Sequence, residues 1–507
     1  MPGGAAPFAH VTTLDLLVLA AYFAATMAVG FAVTRRSRSV DGFTAAGRNL
    51  PGWLTGLSIL GTYVSSITFL ALPAKAFASN WNPFVFSLAL PLATWAAVRW
   101  FLPFYRRSAQ VSAYCHLEAR FGPWARVYAS LCYLLTQLAR MGTVMYLMAL
   151  PMSVLLGWDI RAVILVTGVS VTIYALVGGL VAVIYADAFQ TVVLVAGAAV
   201  CAALMIGGLP GGAGQLLRVA GDHGKFSLGG FGPGLGEPTV WVVLLYGLTI
   251  NLQNFGIDQN FVQRYIASKS DAEARKSLWL GGLGYVPLSA GFLFIGTALF
   301  AYYEAHPVAL PAMYRGAAQA DLVFPWFIVS ALPPGVTGLL VAAIFAAAMS
   351  TVSTSLNSSA TIILGDYYVR YVNPRAGERQ AMRMLRRTTV VWGAAGTAAA
   401  VAMTDARGAL DTWWTLAGIF GGGTLGLFLL GFFSRRAGNR AAQAGVASGI
   451  LLIVWMTLSP RWSAWPADWR SPFHDFLIIV FGTAAVLVVG LAAGWALSTA
   501  SRRTHQP

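Results

Sequence analysis

The chain has 507 residues, of which 57% are hydrophobic and only 10% are charged, and its mean hydropathy is +0.68. This composition excludes a soluble globular protein and predicts an all-α polytopic membrane protein. The three cysteines form no disulfide or metal pattern, and no G-x-x-x-x-G-K-[ST] loop is present. An ATP-driven pump is therefore not expected, and any work must draw on an ion gradient or on the gradient of the solute itself.

About thirteen segments of the chain are long and apolar enough to cross a membrane, since a spanning helix needs about 20 mostly apolar residues. They are 14–33, 51–78, 83–104, 124–156, 160–177, 180–209, 239–266, 277–303, 335–371, 388–403, 410–433, 441–458 and 474–500. The first follows no basic region and precedes basic residues, which indicates a retained helix and not a signal peptide. Residues 321–332 are predicted to form a short surface helix.

Thirteen crossings place the two termini on opposite sides of the membrane, and the basic residues decide which side is which. Lysine and arginine concentrate in alternate links. The main clusters are Arg35, Arg36, Arg38, Arg106, Arg107, Lys269, Arg275, Lys276, Arg379, Arg383, Arg386, Arg387, Arg435, Arg436, Arg440, Arg502 and Arg503. This positive-inside pattern predicts an external N-terminus and a cytoplasmic C-terminus. It also explains the pI of about 10.0 without a nucleic-acid partner.

The segment 342–361, AAIFAAAMSTVSTSLNSSAT, carries dense hydroxyl side chains inside an apolar run. Ser350, Ser353, Thr354 and Asn357 share one helical face. Such a strip of oxygen ligands suits a weakly charged hard cation such as sodium. The alternative is close helix packing, in which small residues and hydroxyls bond across helices. The segment alone leaves both interpretations open.

Two of the predicted helices contain glycine and clustered polar residues at mid-depth. The first has GTYVSSIT at 61–68, and the second has YGLTINLQNFG at 246–256. Freed backbone groups at that depth are tolerated where they line a cavity, so paired broken helices predict a transporter site. These helices are the second and the seventh, as an inverted repeat of five plus five helices requires. The alternative is that Gly61 and Gly247 are packing glycines.

Arg140 lies near the middle of its predicted helix, too deep to reach the interface easily. It could hold a substrate carboxylate, or pair permanently with a buried acid or with carbonyl groups. Asp187, about two turns into its own helix, is interpreted as a cation ligand or as the structural partner of Arg140. Asp258, Asp366 and Asp411 lie nearer helix ends and are interpreted as interfacial.

With these residues placed, the chain resembles the sodium:solute symporter family over about residues 14–503. The matching motifs are GRNLPGWLTGLSILGTYVSSITFLALPAKA (47–76), YALVGGLVAVIYADAFQ (174–190), DQNFVQRYIASKS (258–270) and AAAMSTVSTSLNSS (346–359). The resemblance implies a LeuT-like core with discontinuous helices, preceded by one helix and followed by two. It divides the chain into 1–50 (first helix and link), 51–209 (first repeat), 210–238 (extracytoplasmic loop), 239–433 (second repeat) and 434–507 (last two helices and a short tail).

The resemblance also implies ligands for one or two sodium ions. A site shared in the family falls on main-chain carbonyls of Gly61, Val64 and Ala347 and on the hydroxyls of Ser350 and Thr351. A second site found in some members falls on Asp187, Ser350, Ser353 and Thr354. Asn357 is not assigned as a ligand, and it is interpreted as a residue of the helix packing.

Within the family, ARMGTVMYLMAL at 139–150 and the broken-helix motif are most like the bacterial sialic acid symporters. That likeness implies that Arg140, Ser65 and Thr68 bind the solute. Ser87 is also predicted to bind the solute. Those transporters have a glutamine at about its position, so the hydrogen bonds offered to a sugar differ here.

The sequence therefore predicts a non-enzymatic sodium-coupled symporter in a bacterial inner membrane. It would import a small anionic solute, such as a carboxylated sugar, by alternating access, with no obligate protein partner. Alternatives are a symporter for a monocarboxylate, sugar or amino acid, and a transporter-like sensor. A sensor is disfavoured because the chain ends soon after the last helix. A channel and an intramembrane enzyme are two further alternatives. No set of candidate catalytic residues supports the enzyme.

Overall fold

The computed structural model describes residues 11–33, 37–108, 110–316, 319–404, 409–462 and 465–503. In this part of the chain every regular element is helical, apart from a backbone bridge between Leu50 and Ser268. The predicted basic residues Arg35 and Arg36 lie outside the described residues, and so do the side chains of Asp411, Arg502 and Arg503.

Fourteen of the helices are labelled here in chain order. They are α1 (Thr13–Ala32), α2 (Gly52–Tyr63), α3 (Ser66–Ala78), α4 (Phe84–Ser108), α5 (Pro123–Leu156), α6 (Ile160–Gly207), α7 (Val240–Ile257), α8 (Gln259–Ala267), α9 (Asp271–Ala305), α10 (Val336–Val372), α11 (Glu378–Met403), α12 (Ala409–Phe433), α13 (Asn439–Leu458) and α14 (Leu477–Arg503). By length and composition, eight described helices can cross a membrane, or nine if α2 and α3 count as one span. The thirteen crossings remain a prediction.

The first predicted break lies between α2 and α3, whose axes differ by 53°. Val64 and Ser65 have extended backbone angles there, and Ser65 begins α3 without a side-chain cap. The last carbonyls of one helix and the first amides of the next are thus released from the helical ladder. This break lies at the polar sequence that predicted it.

The second predicted break separates α7 from α8 at Asp258, which has extended backbone angles. The Asp258 carboxylate accepts a hydrogen bond from the Asn260 amide at 2.7 Å and so caps α8. Gly247 lies against the backbone of Phe86, where a β-carbon would come within 2.9 Å. Gly247 is therefore a packing glycine, and the helix breaks eleven positions further along the chain.

The predicted helices 160–177 and 180–209 form the single element α6, which bends at Gly179 (φ 53°, ψ −152°). That backbone conformation is open to glycine and strained for other residues. A β-carbon at Gly179 would also lie 2.7 Å from the ring of Phe43. Gly178 and Gly179, which lie between the two predicted helices, therefore mark a bend within one helix and not a loop.

Helix α10 carries the hydroxyl strip and lies at the centre of the molecule. In the most apolar 18-residue window of α10, 89% of the residues are buried, against 22% for α1. Five alanines between Ala342 and Ala348 allow α5 and α6 to pack closely around it. The polar strip therefore faces protein and not lipid.

The helix predicted at 321–332 is present as Ala320–Ala331, but its predicted surface position is wrong. Phe324, Phe327 and Ile328 are buried, and the Phe324 ring stacks on Phe69 of α3 at 5.5 Å between centroids. Apolar residues on this short helix thus cover the outer half of the first broken helix.

Candidate substrate and ion site

The break between α2 and α3 faces the middle of α5. Arg140 of α5 donates from Nη2 to the Thr62 carbonyl at 3.1 Å, and Ser66 donates to the Val144 carbonyl at 3.0 Å. Arg140 and Val144 are one turn apart, so a single face of α5 contacts both sides of the break. The structure thereby brings Arg140 to the segment that contains Ser65 and Thr68.

Arg140 is half-buried although it lies in the middle of a long helix. None of the ion pairs shorter than 4.0 Å within the described residues includes it. Among the described residues, Arg140 therefore has no acid as a paired partner. It contacts one main-chain carbonyl group instead.

The carbonyl groups at the end of α2 have different partners. The Thr62 carbonyl accepts from Arg140, and the Tyr63 carbonyl accepts from the Thr68 hydroxyl at 3.3 Å. In the described part of the chain, the carbonyls of Gly61 and Val64 accept no backbone hydrogen bond across the break. These two are the main-chain ligands that the family resemblance implies for sodium.

Gly61 is also where α2 comes closest to the hydroxyl strip of α10. A β-carbon built on Gly61 would lie 3.3 Å from the Ser350 hydroxyl and 2.5 Å from the Thr191 hydroxyl. On α10 itself, the Thr351 hydroxyl donates to the Ala347 carbonyl at 3.2 Å. The elements that carry the predicted ligands are therefore adjacent, with glycine at the closest approach.

The predicted second sodium site is built around Asp187, which is fully buried on α6. Its carboxylate accepts from Ser350 at 2.7 Å and from Thr354 at 3.5 Å. The Ser353 hydroxyl instead donates to the Ser350 carbonyl at 3.0 Å. Two of the three predicted hydroxyls thus contact Asp187, and the third is turned to the backbone of its own helix.

Arg264 of α8 forms an ion pair with Asp187 at 2.7 Å, and both side chains are 0% exposed. Its guanidinium also donates to Ser58 at 2.8 Å and to Thr354 at 2.6 Å. The interpretation of Asp187 as the partner of Arg140 is therefore wrong. The motif DQNFVQRYIASKS contains this arginine, but its role was not predicted from the sequence. The available signal was a charged residue within a buried polar motif.

Further polar contacts fasten α8 to its neighbours. Asn260 accepts from Tyr133 of α5 at 3.0 Å and from Ser358 of α10 at 2.6 Å. Gln263 donates to Thr361 of α10 at 2.8 Å. Together with Arg264, these side chains tie the second half of the second broken helix to α5, α6 and α10.

The remaining predicted solute residue, Ser87 of α4, is 2% exposed. Its hydroxyl accepts from Ser289 of α9 at 2.8 Å. Next to it, the Phe86 carbonyl accepts from Asn251, and Asn251 accepts from the Tyr63 hydroxyl at 3.0 Å. Tyr63 and Asn251, which sequence reasoning did not single out, thus connect the two broken helices.

Two acids expected at the interface accept hydrogen bonds within the protein. Asp258 is at the second break and only partly exposed. Asp366 is 1% exposed and pairs with Arg126 at 2.5 Å, while accepting from Ser112 at 2.9 Å. Asn357, left to packing, donates to the Phe43 carbonyl at 3.2 Å.

Within the described residues, no group of three or more histidine, cysteine, aspartate or glutamate side chains has metal-binding geometry. The oxygen atoms gathered here, which are the predicted ligands, are instead those of hydroxyls, main-chain carbonyls and one carboxylate. Broken helices that carry such ligands near a mid-membrane arginine are typical of a secondary transporter.

Comparison with known proteins supports the same class. The model of the sodium:solute symporter family matches residues 43–449, so the chain belongs to this family. It is 33% identical to the sodium/sialic acid symporter NanT of Aliivibrio fischeri, covering 94% of this chain and 92% of the relative. It is 31% identical to the sodium/sialic acid symporter SiaT of Proteus mirabilis, covering 94% of both. It is 29% identical to the human sodium-coupled monocarboxylate transporter 1, covering 88% of this chain and 73% of the relative.

Solved structures give the same fold. A substrate-bound, outward-open sodium-coupled sialic acid symporter, described as having a novel sodium site, matches with a TM-score of 0.88 and 30% identity, covering 95% of this chain and 98% of that one. Mhp1, a nucleobase-cation-symport-1 family transporter, matches with a TM-score of 0.56 and 17% identity, covering 90% and 94%. The predicted all-α fold with LeuT-like discontinuous helices is thereby confirmed.

Proposed function

We propose that the protein is a sodium-coupled symporter that imports a small carboxylated solute of the sialic acid type by alternating access. The observation that carries the proposal is the position of Arg140, a half-buried arginine that contacts the end of a broken helix at the Thr62 carbonyl. An arginine fork matches a carboxylate in geometry and charge. The relatives NanT and SiaT are sodium/sialic acid symporters, and a sialic acid is a carboxylated sugar.

In this proposal Arg140 holds the solute carboxylate, and Ser65 and Thr68 donate to its other oxygens. Sodium, as co-substrate, is bound by the carbonyls of Gly61, Val64 and Ala347 and by the hydroxyls of Ser350 and Thr351. Such binding would tie α2 to α10 and favour the state that accepts the solute. Coupling is then reciprocal, because each ligand raises the affinity for the other.

A second sodium at Asp187, Ser350, Ser353 and Thr354 is the alternative stoichiometry. Arg264 already offsets the charge of Asp187 in the described arrangement, so a second ion at this site would compete with that pair. One sodium with one monovalent anion moves no net charge, whereas two sodium ions with one anion move one positive charge. A potential of 100 mV would contribute about 2.3 kcal/mol only in the second case.

A monocarboxylate is the second candidate solute. The observation that favours it is Ser87, whose short side chain is occupied by Ser289 and offers little to the hydroxyls of a sugar. Relatives that are monocarboxylate transporters share 29% identity with the chain.

Uptake into proteoliposomes tests the function. We expect an inward sodium gradient to drive accumulation of labelled sialic acid, and the same gradient of potassium to give none. An imposed potential, negative inside, should speed uptake if two sodium ions move and leave it unchanged if one does. Uptake of lactate in place of sialic acid would support the second candidate, and sodium-independent accumulation of either solute would contradict the proposal.

Changing Thr351 to alanine should weaken sodium dependence, because it removes one of two side-chain oxygens from the proposed ion site. We expect the sodium concentration for half-maximal uptake to rise about tenfold, as for loss of one ligand worth about 1.4 kcal/mol, with maximal uptake little changed. Thr361→Ala, on the same helix but bonded to Gln263, is the matched control. Unchanged sodium affinity in Thr351→Ala would remove Thr351 from the site.

We also propose the domain division 1–50, 51–209, 210–238, 239–433 and 434–507, with the N-terminus outside and the C-terminus in the cytoplasm of a bacterial cell. The two breaks support this division because they fall near the start of each repeat. Accessibility of single engineered cysteines in the links would test the orientation.

A further inference from the structure

The first three turns of α11 have two faces of opposite character. One face, with Ala381, Met382 and Leu385, is buried, and it packs in a cluster with Leu364 of α10 and Phe43. The other face carries exposed arginines. They are Arg379, Arg383, Arg386 and Arg387. Further along the helix the same side presents Val390 and Val391, which are 47% and 63% exposed. The exposed arginines are thus followed, after two buried threonines, by exposed valines on the same side of the helix.

Among the described residues, no acidic side chain forms an ion pair with the arginines of this face. Residues 375–387 contain five arginines and one glutamate, which gives a net charge of +4. The glutamate, Glu378, accepts from the amide of Val40 at 2.6 Å. None of the ion pairs within the described residues involves these five arginines, and Arg383 donates only to the Arg379 carbonyl at 3.4 Å. A concentrated positive charge is left for an external partner.

The depth of the charge indicates which partner. The apolar part of α11, residues 388–403, would extend about 24 Å at 1.5 Å per residue, which is less than the roughly 30 Å thickness of the hydrocarbon core. Arg386 and Arg387 would therefore lie at the edge of the hydrocarbon, where their side chains extend to the phosphate layer. Nearby, the exposed Tyr371 and Val372 at the end of α10 are also suited to an interface.

We infer that this face of α11, Arg379 with Arg383, Arg386 and Arg387, is a binding site for an anionic phospholipid. The guanidinium groups would hold the phosphodiester of a headgroup that has no positive charge, as in phosphatidylglycerol, and the acyl chains would lie along Val390 and Val391. Because α11 packs on α5, which carries Arg140, the bound lipid would stabilise the helix behind the solute site.

The test compares two arginine pairs of equal charge. One variant is Arg386→Gln with Arg387→Gln. Its matched control is Arg435→Gln with Arg436→Gln, since those two arginines are also adjacent, exposed and next to a helix end. Purified full-length protein in neutral detergent is titrated with phosphatidylglycerol, with phosphatidylcholine and with inorganic phosphate. Binding is followed by native mass spectrometry and by the shift of the melting temperature.

We expect the wild-type protein and the control variant to bind phosphatidylglycerol and to be stabilised by it. The Arg386/Arg387 variant should bind it about 30-fold more weakly, which corresponds to two charges at the membrane surface. An Arg386→Lys, Arg387→Lys variant should lie between, because it keeps the charge and loses the fork. An unchanged melting temperature of the variants in phosphatidylcholine shows that they fold.

Three results would overturn the inference. Equal losses in the two glutamine variants would indicate diffuse attraction to the whole positive surface. Equal stabilisation by phosphatidylcholine would remove the requirement for an anionic headgroup. Equal stabilisation by inorganic phosphate would make this a site for the free ion and not for a lipid.

Discussion

Replacing Arg264 with glutamine is expected to lower the free energy of unfolding by about 3–5 kcal/mol, the typical cost of leaving one partner of a buried ion pair alone. Arg264 and Asp187 are both 0% exposed, and neither charge can reach water once its partner is lost. Asp187→Asn should be destabilising for the same reason. The measurement is a denaturant titration in detergent micelles, followed by helical circular dichroism.

The double variant Asp187→Asn with Arg264→Gln separates the pair from its surroundings. Since both charges are then absent, we expect it to be more stable than the Arg264→Gln single variant. The exposed pair Arg461–Asp475 is the control, and Arg461→Gln should cost no more than about 1 kcal/mol. Additive losses in the double variant would mean that Asp187 and Arg264 do not act as a pair.

Replacing Arg140 with alanine is expected to weaken binding of a carboxylated solute by about 100-fold or more, because two charge-assisted hydrogen bonds are lost. Arg140→Lys should give a smaller loss, since it keeps the charge and loses the fork. Thermal-shift titration with sialic acid, in the presence and absence of sodium, measures the effect. Sodium should still stabilise the alanine variant if the ion site is separate.

Arg99→Ala is the control for Arg140, because Arg99 is an exposed arginine in the second half of α4. It should leave binding of the solute unchanged. If Arg140→Ala binds carboxylated solutes with wild-type affinity, the function of Arg140 is structural. It would then serve to hold the Thr62 carbonyl at the end of α2.

Much of the site could be predicted from the sequence because each of its features depends on residues within one short segment. The break at Val64 and Ser65 follows from clustered polar residues in an apolar run, which cost too much in lipid unless they line a cavity. The hydroxyl strip follows from helical spacing on α10. The family follows from four motifs in order along the chain.

Contacts between distant segments could not be predicted in the same way. Asp187 and Arg264 are 77 positions apart, and nothing in either motif indicates that they meet. Asp258 lies near the end of an apolar run, which suggested an interface, yet the helix breaks there and directs its carboxylate to the amide of Asn260. Residues 321–332 were predicted to form a short surface helix, yet the aromatic face of the helix Ala320–Ala331 packs on Phe69.

The sequence by itself determined the class of this protein, most of its helices and the elements on which the predicted ligands lie, since hydropathy and helical periodicity act over one or two turns. The tertiary structure alone decided which charges are paired. In a buried site a charge must be compensated by whichever group the packing brings within reach, and that choice belongs to the arrangement of α5, α6, α8 and α10. In this arrangement Asp187 pairs with Arg264, and the guanidinium of Arg140 contacts the Thr62 carbonyl at the break.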